Sequence, residues 1–262
     1  MGCICIHKVI HMRPYIGITG LKTTDDIKKI TGIFDKNCLD SSGFEGMMGF
    51  LCDTRNIEDT KREGKRSPSL ENLARLIEAV PSRYMGMVHY HTKNHDDLYA
   101  ESIKLREYVP GFQNIQYNVD WPSIRQLEKI RHEICENIVL QLPARAIEHL
   151  DNKQVARITQ AYDGLASYVL IDMSGGKGIE MDEEKTADLV HELSKKLMHT
   201  TIGVAGGLSA ENVASKVGII KKGAGIERFC IDAEGRLRTD DILSIDMNKA
   251  ENYILSAIET FR

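Results

Sequence analysis

A paired-glycine turn near the end of the chain is the segment best suited to bind an anion. The apolar run TIGVA ends in Gly206 and Gly207, and a helical pattern capped by Ser209 follows directly. Glycines let the backbone approach an anion closely, and a helix N-terminus adds N–H groups and the positive end of the helix dipole. The pattern predicts a phosphate site, although a tight turn with a good helix cap would explain the same residues.

A carboxylate follows another apolar run. Asp172 ends the run YVLID and precedes the glycine-rich segment Ser174-Gly175-Gly176-Lys177-Gly178. An aspartate at the end of a buried strand can act as a general acid or base if its surroundings raise its pKa. The alternative is an aspartate that only begins a turn by bonding to backbone N–H groups.

Three histidines lie close together in the segment VHYHTKNH. His89 and His91 share one face of a strand because strand side chains alternate, and His95 follows. His91 would then be nearest the end of the strand, where an imidazole could serve as a general base. The spacing without a placed carboxylate is weak evidence for a metal, and we expect none. Polar histidines at the rim of the fold remain the third interpretation.

Eight short apolar runs, each followed by an amphipathic segment, must position these residues. The predicted strands are residues 15–18, 46–52, 84–90, 114–119, 137–142, 168–172, 201–205 and 228–232. The predicted helices are residues 24–34, 69–79, 98–108, 123–135, 152–162, 182–197, 211–221 and 250–261. This alternation predicts an α/β protein built as a single (β/α)8 barrel. An open doubly wound sheet is disfavoured, because the first predicted strand lacks the GxGxxG turn.

Composition narrows the class of protein further. The 262 residues carry 34 Lys and Arg against 38 Asp and Glu, a net charge of −4 that does not suit a dedicated nucleic-acid binder. No apolar run reaches the roughly 18 residues of a membrane span, and six scattered cysteines suit buried positions in a cytoplasmic protein. We expect residues 14–262 to form the barrel and residues 1–13 to be an extension, with Met12 a possible natural start.

Several of these segments together resemble one enzyme family. YIGITGLKTTDDI, MMGFLCDTR, IQYNVD, YVLIDMSGGKG, TIGVAGGLSAENV and FCIDAEG occur in the order of the corresponding segments of phosphoribosylanthranilate isomerase. The resemblance extends from about residue 14 to residue 261. It implies a ribulose-phosphate-binding barrel of tryptophan biosynthesis. Such a barrel needs no cofactor and carries out an Amadori rearrangement of an aminoaldose phosphate to an aminoketose phosphate.

The resemblance also implies roles for individual residues. It makes Asp172 the general acid that opens the ribose ring. It implies that the phosphate is held by Gly206, Gly207, Asn212, Asp232 and Gly235. It implies substrate contacts at Arg55, Gln116, Asn118, Gly175 and Gly176, with Arg66 competing with Arg55 for the same role.

Two departures from the family pattern bear on catalysis. Thr19 stands where the family has its cysteine base, and a threonine hydroxyl is too weak an acid to supply an alkoxide near neutral pH. Tyr117-Asn118 replaces the usual Leu-His pair. We therefore expect a divergent isomerase in which His91 could supply the missing base. The alternatives are a phosphoribosyl-ligand binding barrel without catalysis and a different phosphosugar lyase or isomerase. A Schiff-base lysine enzyme is disfavoured, because Asp172 ends the strand where such a lysine would be expected.

Overall fold

Eight parallel strands close into a barrel, which confirms the predicted fold class. The computed structural model describes residues 12–37, 39–174 and 180–262. Each strand pairs with the next, and the eighth pairs with the first. The strands are β1 (Tyr15–Thr19), β2 (Glu45–Asp53), β3 (Met85–His91), β4 (Asn114–Asn118), β5 (Asn137–Pro143), β6 (Tyr168–Asp172), β7 (Thr201–Ala205) and β8 (Cys230–Ala233).

Helices connect the strands and cover the outside of the barrel. They are α1 (Thr24–Lys36), α2 (Thr54–Glu58), α3 (Leu70–Ala79), α4 (Leu98–Tyr108), α5 (Ile124–Glu133), α6 (Ala144–Ile147), α7 (Asn152–Thr159), α8 (Glu183–Ser194), α9 (Val213–Ala224) and α10 (Met247–Phe261). Short 3₁₀ helices occupy Leu39–Ser42, His95–Asp97, Gln160–Tyr162 and Gly235–Leu237.

Two apolar clusters hold this arrangement together. The larger one lies between the strands and the helices, whose amphipathic faces bury residues such as Ile30, Leu73 and Ile254. The smaller one fills the barrel and includes Tyr15 and Tyr168, whose rings meet edge to face with centroids 5.2 Å apart. The barrel is thus filled below its carboxyl-terminal mouth, and the mouth is the end at which a ligand can enter.

The strand register brings two carboxylates level with each other. Asp172 on β6 pairs with Ala205 on β7, which pairs with Asp232 on β8. With neighbouring strands about 4.8 Å apart, their Cα atoms are separated by roughly 10 Å across the row. The two aspartates therefore flank the strand that leads into Gly206.

The predicted strands begin and end within two residues of the observed ones, whereas several helices differ from expectation. No helix is predicted between residues 52 and 69, yet α2 occupies Thr54–Glu58 because Asp53 caps it. A helix is predicted over residues 152–162, but α7 ends at Thr159 and residues 160–162 form a 3₁₀ turn. Asn212 caps α9 in place of Ser209, which accepts the N–H of Val213 through its backbone oxygen.

The first two described residues contact the barrel. Met12 and Arg13 already bond to the barrel, since Thr201 donates to the Met12 carbonyl and Tyr168 to that of Arg13 at 3.1 Å each. Residues 1–11 of the expected extension lie outside the described residues.

The described cysteines, which are Cys52, Cys135 and Cys230, are buried and unbridged. Across the described ranges, no helix is long and apolar enough to cross a bilayer.

Candidate active site

A cavity of about 480 Å³ opens at the carboxyl ends of the strands, and every strand contributes to its wall. This is the end at which barrel enzymes build their active sites. The lining residues that carry polar or charged side chains are Thr19, Asp53, Arg55, Arg62, Lys65, Arg66, Ser67, His89, Tyr90, His91, Gln116, Asn118, Gln141, Asp172, Ser174, Asp232 and Glu234. The arrangement gathers most of the residues predicted from the sequence.

A hydrogen-bonded group on three strands forms one side of the cavity. Thr19 Oγ1 donates to the Asp232 carboxylate, with 3.0 Å to Oδ1 and 2.9 Å to Oδ2. The same hydroxyl lies 3.3 Å from Nε2 of His89. All three side chains are buried. A Cβ at Gly49 would collide with both Thr19 and His89, so the glycine leaves the room in which they meet.

Burial changes the protonation of two members of this group. Burial raises the pKa of Asp232 to about 8, with the charges of Glu234 and Asp172 adding to the effect and the Thr19 hydrogen bond opposing it. Burial lowers the pKa of His89 to about 3. At neutral pH, Asp232 therefore holds a proton and His89 is uncharged. Perturbed groups of this kind, gathered in a cleft, are typical of functional sites.

A second polar group faces the first. Asp172 accepts hydrogen bonds through Oδ1 from the N–H and hydroxyl of Ser174, at 2.9 and 2.7 Å. Its Oδ2 accepts from the side-chain nitrogen of Gln141 at 2.7 Å. The Gln141 oxygen in turn accepts from Gln116 at 3.0 Å. The two glutamines and Asp172 are all buried within the cavity wall.

The glycine turn after β7 lies between these two groups. Gly206 has φ 128° and Gly207 φ 64°, values that L side chains rarely adopt. A Cβ at Gly206 would find ordinary contacts at 3.4 Å or more, so backbone conformation rather than space demands glycine there. Both glycines and Gly235 line the cavity. Asn212 does not line it; its side chain closes the turn by donating to the Gly207 carbonyl at 2.8 Å.

The segment after β2, residues 54–68, covers part of the mouth and is held in place on both sides. Asn56 is buried and donates to the carbonyls of Arg62 and Pro68, at 3.1 and 3.0 Å, which folds the segment back on itself. Arg66 forms an ion pair with Glu234 on the β8 side. Glu234 also pairs with the buried Arg238 at 2.6 Å.

This segment makes the outer part of the cavity basic. Arg55, Arg62, Lys65 and Arg66 all line it. Arg55 folds onto Asp53, and its exposed guanidinium forms an ion pair with that carboxylate. Arg62 lies 3.6 Å from the same carboxylate. Two carboxylates, Asp53 and Glu234, face these four cations, so the rim keeps a net positive charge that favours an anionic ligand.

His91 and Asn118 lie at the rim on the side of β3 and β4. The His91 side chain is exposed, and partial burial and the charge of Arg145 lower its pKa, with Asp53 opposing them. Asn118 accepts a hydrogen bond from Arg145 at 2.9 Å. His95 belongs to the 3₁₀ helix that precedes α4. Among the residues that the structure describes, no three histidine, cysteine or acidic side chains are grouped as a metal site would require.

The structure thus brings most of the predicted site residues to one cavity. They are Thr19, Arg55, His91, Gln116, Asn118, Asp172, Gly206, Gly207, Asp232 and Gly235. Gly175 and Gly176 lie outside the described residues. Sequence reasoning missed Gln141, Ser174, Arg62 and Glu234 as site residues. Gln141 had a signal, since it is the one polar side chain within the apolar run IVLQL. The assignment of Asp232 to the phosphate overlooked its bond to Thr19, which depends on barrel closure.

Comparison with known proteins supports the architecture. No protein-family model matches the chain, and no curated protein sequence matches it. Phosphoribosylanthranilate isomerase from Thermotoga maritima superposes with a TM-score of 0.63 at 16% identity, covering 93% of this chain and 98% of that one. A structure of phosphoribosylanthranilate isomerase in complex with reduced 1-(o-carboxyphenylamino)-1-deoxyribulose 5-phosphate gives a TM-score of 0.61 at 15% identity, covering 93% of this chain and 98% of that one.

Other barrels match as well. The carboxyl transferase domain of Rhizobium etli pyruvate carboxylase, solved with pyruvate, gives a TM-score of 0.58 at 11% identity, covering 97% of this chain and 48% of that one. The similarities show that this chain has a barrel like that of phosphoribosylanthranilate isomerase. At these identities they establish the fold, and the chemistry has to be argued from the site itself.

Proposed function

We propose that this protein is a phosphosugar isomerase that converts an aminoaldose phosphate to an aminoketose phosphate by an Amadori rearrangement. The observation that carries the proposal is the pair of buried carboxylates, Asp172 and Asp232, on either side of the strand that leads into Gly206. Such a pair can add a proton at the ring oxygen of a sugar and remove one from C2. The turn between them suits the phosphate.

Phosphate binding is supported by the turn and by the charge around it. The Gly206–Gly207 backbone faces the cavity, and the N-terminus of α9 follows within a few residues. Backbone N–H groups and the helix dipole favour an anion there. The basic rim formed by residues 54–68 would also favour a negatively charged substrate on its way into the cavity.

The two carboxylates divide the proton transfers between them. Asp232 carries a proton at neutral pH, and a phosphate bound beside it would strengthen that tendency. Asp172 accepts from Ser174 and Gln141 as a carboxylate does. We therefore take Asp232 as the acid and Asp172 as the base. This assignment differs from the one implied by the family resemblance, which makes Asp172 the acid and places Asp232 at the phosphate. It follows the rule that environments set such roles.

Each step then balances. Asp232 gives its proton to the ring oxygen as the bond from that oxygen to C1 breaks, and the amine lone pair forms the C1–N double bond of a Schiff base. Asp172 takes the proton from C2, the released pair forms a C1–C2 double bond, and the C–N pair returns to nitrogen. The C2 hydroxyl then returns a proton to Asp232 and Asp172 gives its proton to C1, which forms the ketone and restores both carboxyl groups.

Thr19 orients the acid and takes no proton of its own in this scheme. Its hydroxyl is held between the Asp232 oxygens and His89 Nε2, which fixes the plane of the carboxyl group. A threonine alkoxide is not available near neutral pH. In this scheme the role of the family's thiolate base falls to Asp172 on β6.

The test is an isomerase assay that follows the loss of phosphoribosylanthranilate fluorescence. We expect turnover by the wild type and loss of at least about 10²-fold in Asp172→Asn and in Asp232→Asn. Asp240→Asn, which changes a fully exposed aspartate, is the matched control and should leave the rate unchanged. Unchanged turnover in both site variants would overturn the proposal.

The second candidate is a phosphoribosyl-ligand binding barrel without catalysis, which the threonine at position 19 favours. It predicts that ribose 5-phosphate raises the Tm while no turnover is detected. In either case we expect a phosphorylated small molecule as the ligand, and the cytoplasm as the place of action.

A further inference from the structure

A directed chain of side-chain amides runs across the floor of the cavity. Gln116 donates through Nε2 to Oε1 of Gln141 at 3.0 Å, and Gln141 donates through Nε2 to Oδ2 of Asp172 at 2.7 Å. The three residues belong to β4, β5 and β6, and each is at least nine-tenths buried.

The contacts of Asp172 set the direction of this chain. Its Oδ1 already accepts from both donors of Ser174, so Oδ2 is the atom that faces Gln141. Because Oδ2 accepts there, the Gln141 nitrogen faces Asp172 and the Gln141 oxygen faces Gln116. The Gln116 nitrogen then donates to Gln141, and the Gln116 oxygen is the side-chain atom outside this chain of hydrogen bonds.

That oxygen is buried, and within the described ranges no donor reaches it. Gln116 lines the cavity, so a bound molecule can supply the donor. A buried acceptor without a donor is costly, and such groups reject ligands that cannot satisfy them.

We propose that Gln116 Oε1 accepts a hydrogen bond from a hydroxyl of the sugar, and that Gln141 is the positioning residue that presents it. The assignment rests on the proposed function, because it takes the ligand to be a phosphorylated sugar. It selects a hydroxyl over an ether or carbonyl oxygen at this point, since only the hydroxyl donates.

The chain makes an unusual prediction for Asp172→Asn. The side-chain oxygen of the introduced asparagine would stay with the two Ser174 donors, which turns its amide nitrogen toward Gln141. Gln141 must then offer its oxygen, so both glutamine amides rotate and Gln116 presents N–H groups to the cavity. The variant should therefore lose its preference for a hydroxyl, although the mutated group is two residues away along the chain of bonds.

Isothermal titration of ribose 5-phosphate, 2-deoxyribose 5-phosphate and 3-deoxyribose 5-phosphate tests this. The wild type should bind at least one deoxy compound about tenfold more weakly than ribose 5-phosphate, the effect of one hydrogen bond to a buried acceptor. Gln116→Met, Gln141→Met and Asp172→Asn should each bring that ratio close to one. Inorganic phosphate should bind all four proteins alike, which confirms that the variants are folded.

The outcomes separate the two proposals. If the wild type binds the three sugars equally, or if its preference persists in Gln116→Met, the role of Gln116 is overturned while the proposed function stands. If ribose 5-phosphate does not bind the wild type at all, the phosphosugar assignment fails and this inference fails with it. The wild-type comparison needs no variant, so the test holds even if a variant does not fold.

Discussion

Thr19 on the first strand donates its hydroxyl to both oxygens of Asp232 on the last strand, at 3.0 and 2.9 Å. This bond is the main interaction that opposes the effect of burial on the Asp232 carboxyl group. The protonation of Asp232 is therefore set by a balance between the apolar barrel and one hydroxyl. The first three predictions follow from that balance.

The rate of isomerisation should fall at alkaline pH. Asp232 has a pKa of about 8 in the ligand-free protein and acts while protonated, so kcat/KM should be lost as pH rises through that value. A pH profile of the wild type between about pH 6 and pH 10 measures the alkaline limb. A rate that instead increases through pH 8 would make Asp232 the base.

Exchange of Thr19 should move that limb. Thr19→Val keeps the shape of the side chain but removes the hydrogen bond that lowers the pKa of Asp232, so the limb should shift to higher pH. Thr19→Ser retains the hydroxyl and serves as the control, with the limb near its wild-type position. If the valine and serine variants gave the same profile, the hydroxyl would have no part in setting the acid.

The stability of the fold should depend on pH through the same carboxyl group. Its folded pKa is raised above the unfolded value of about 3.9, so folding takes up a proton and stability declines as pH rises from about 4 to 8. Asp232→Asn cannot titrate. The Tm of the variant relative to the wild type should therefore increase between about pH 5 and pH 9. A constant difference across this range would show that Asp232 is ionised in the folded protein.

His91→Ala should lower kcat/KM by less than about tenfold. The side chain is exposed at the rim, and the proton transfers are assigned to Asp172 and Asp232. Steady-state kinetics measure kcat/KM of His91→Ala, of Asp172→Asn and of the wild type under the same conditions. A loss of about 10² or more for His91→Ala would restore the histidine as the acid or base expected from its spacing in the sequence.

Glu234→Gln should destabilise the fold by roughly 3 kcal/mol, because it leaves the buried Arg238 without its charged partner. The free energy of unfolding in urea measures the loss. Glu251→Gln removes one partner of the more exposed pair with Lys36 and should cost less than about 1 kcal/mol. Equal losses in the two variants would mean that burial of the Glu234 pair contributes little.

The barrel could be predicted because its signals are local. Apolar runs of strand length, glycines at their ends and helix-capping residues each occupy a few neighbouring positions, which is why Tyr168–Asp172 and Thr201–Ala205 were located to the residue. Asp172 and the Gly206 turn followed for the same reason, since the end of a parallel strand is also the edge of the site.

The partners within the site could not be predicted in this way. The bond between Thr19 and Asp232 joins residues 213 positions apart, and the bond between Gln141 and Asp172 depends on which face of β5 turns inward. Neither leaves a pattern in the sequence. The pKa of Asp232 is likewise a property of the closed barrel, because burial is its largest cause.

The pairing of β1 with β8 also bears on how the molecule is made. Thr19 leaves the ribosome more than two hundred residues before Asp232 does, so a nascent chain holds one half of this contact long before the other exists. Because burial is the largest cause of the raised pKa of Asp232, this shift requires the closed barrel. In the proposed scheme the acid therefore becomes available only when the barrel closes, and a chain that stops before β8 lacks it.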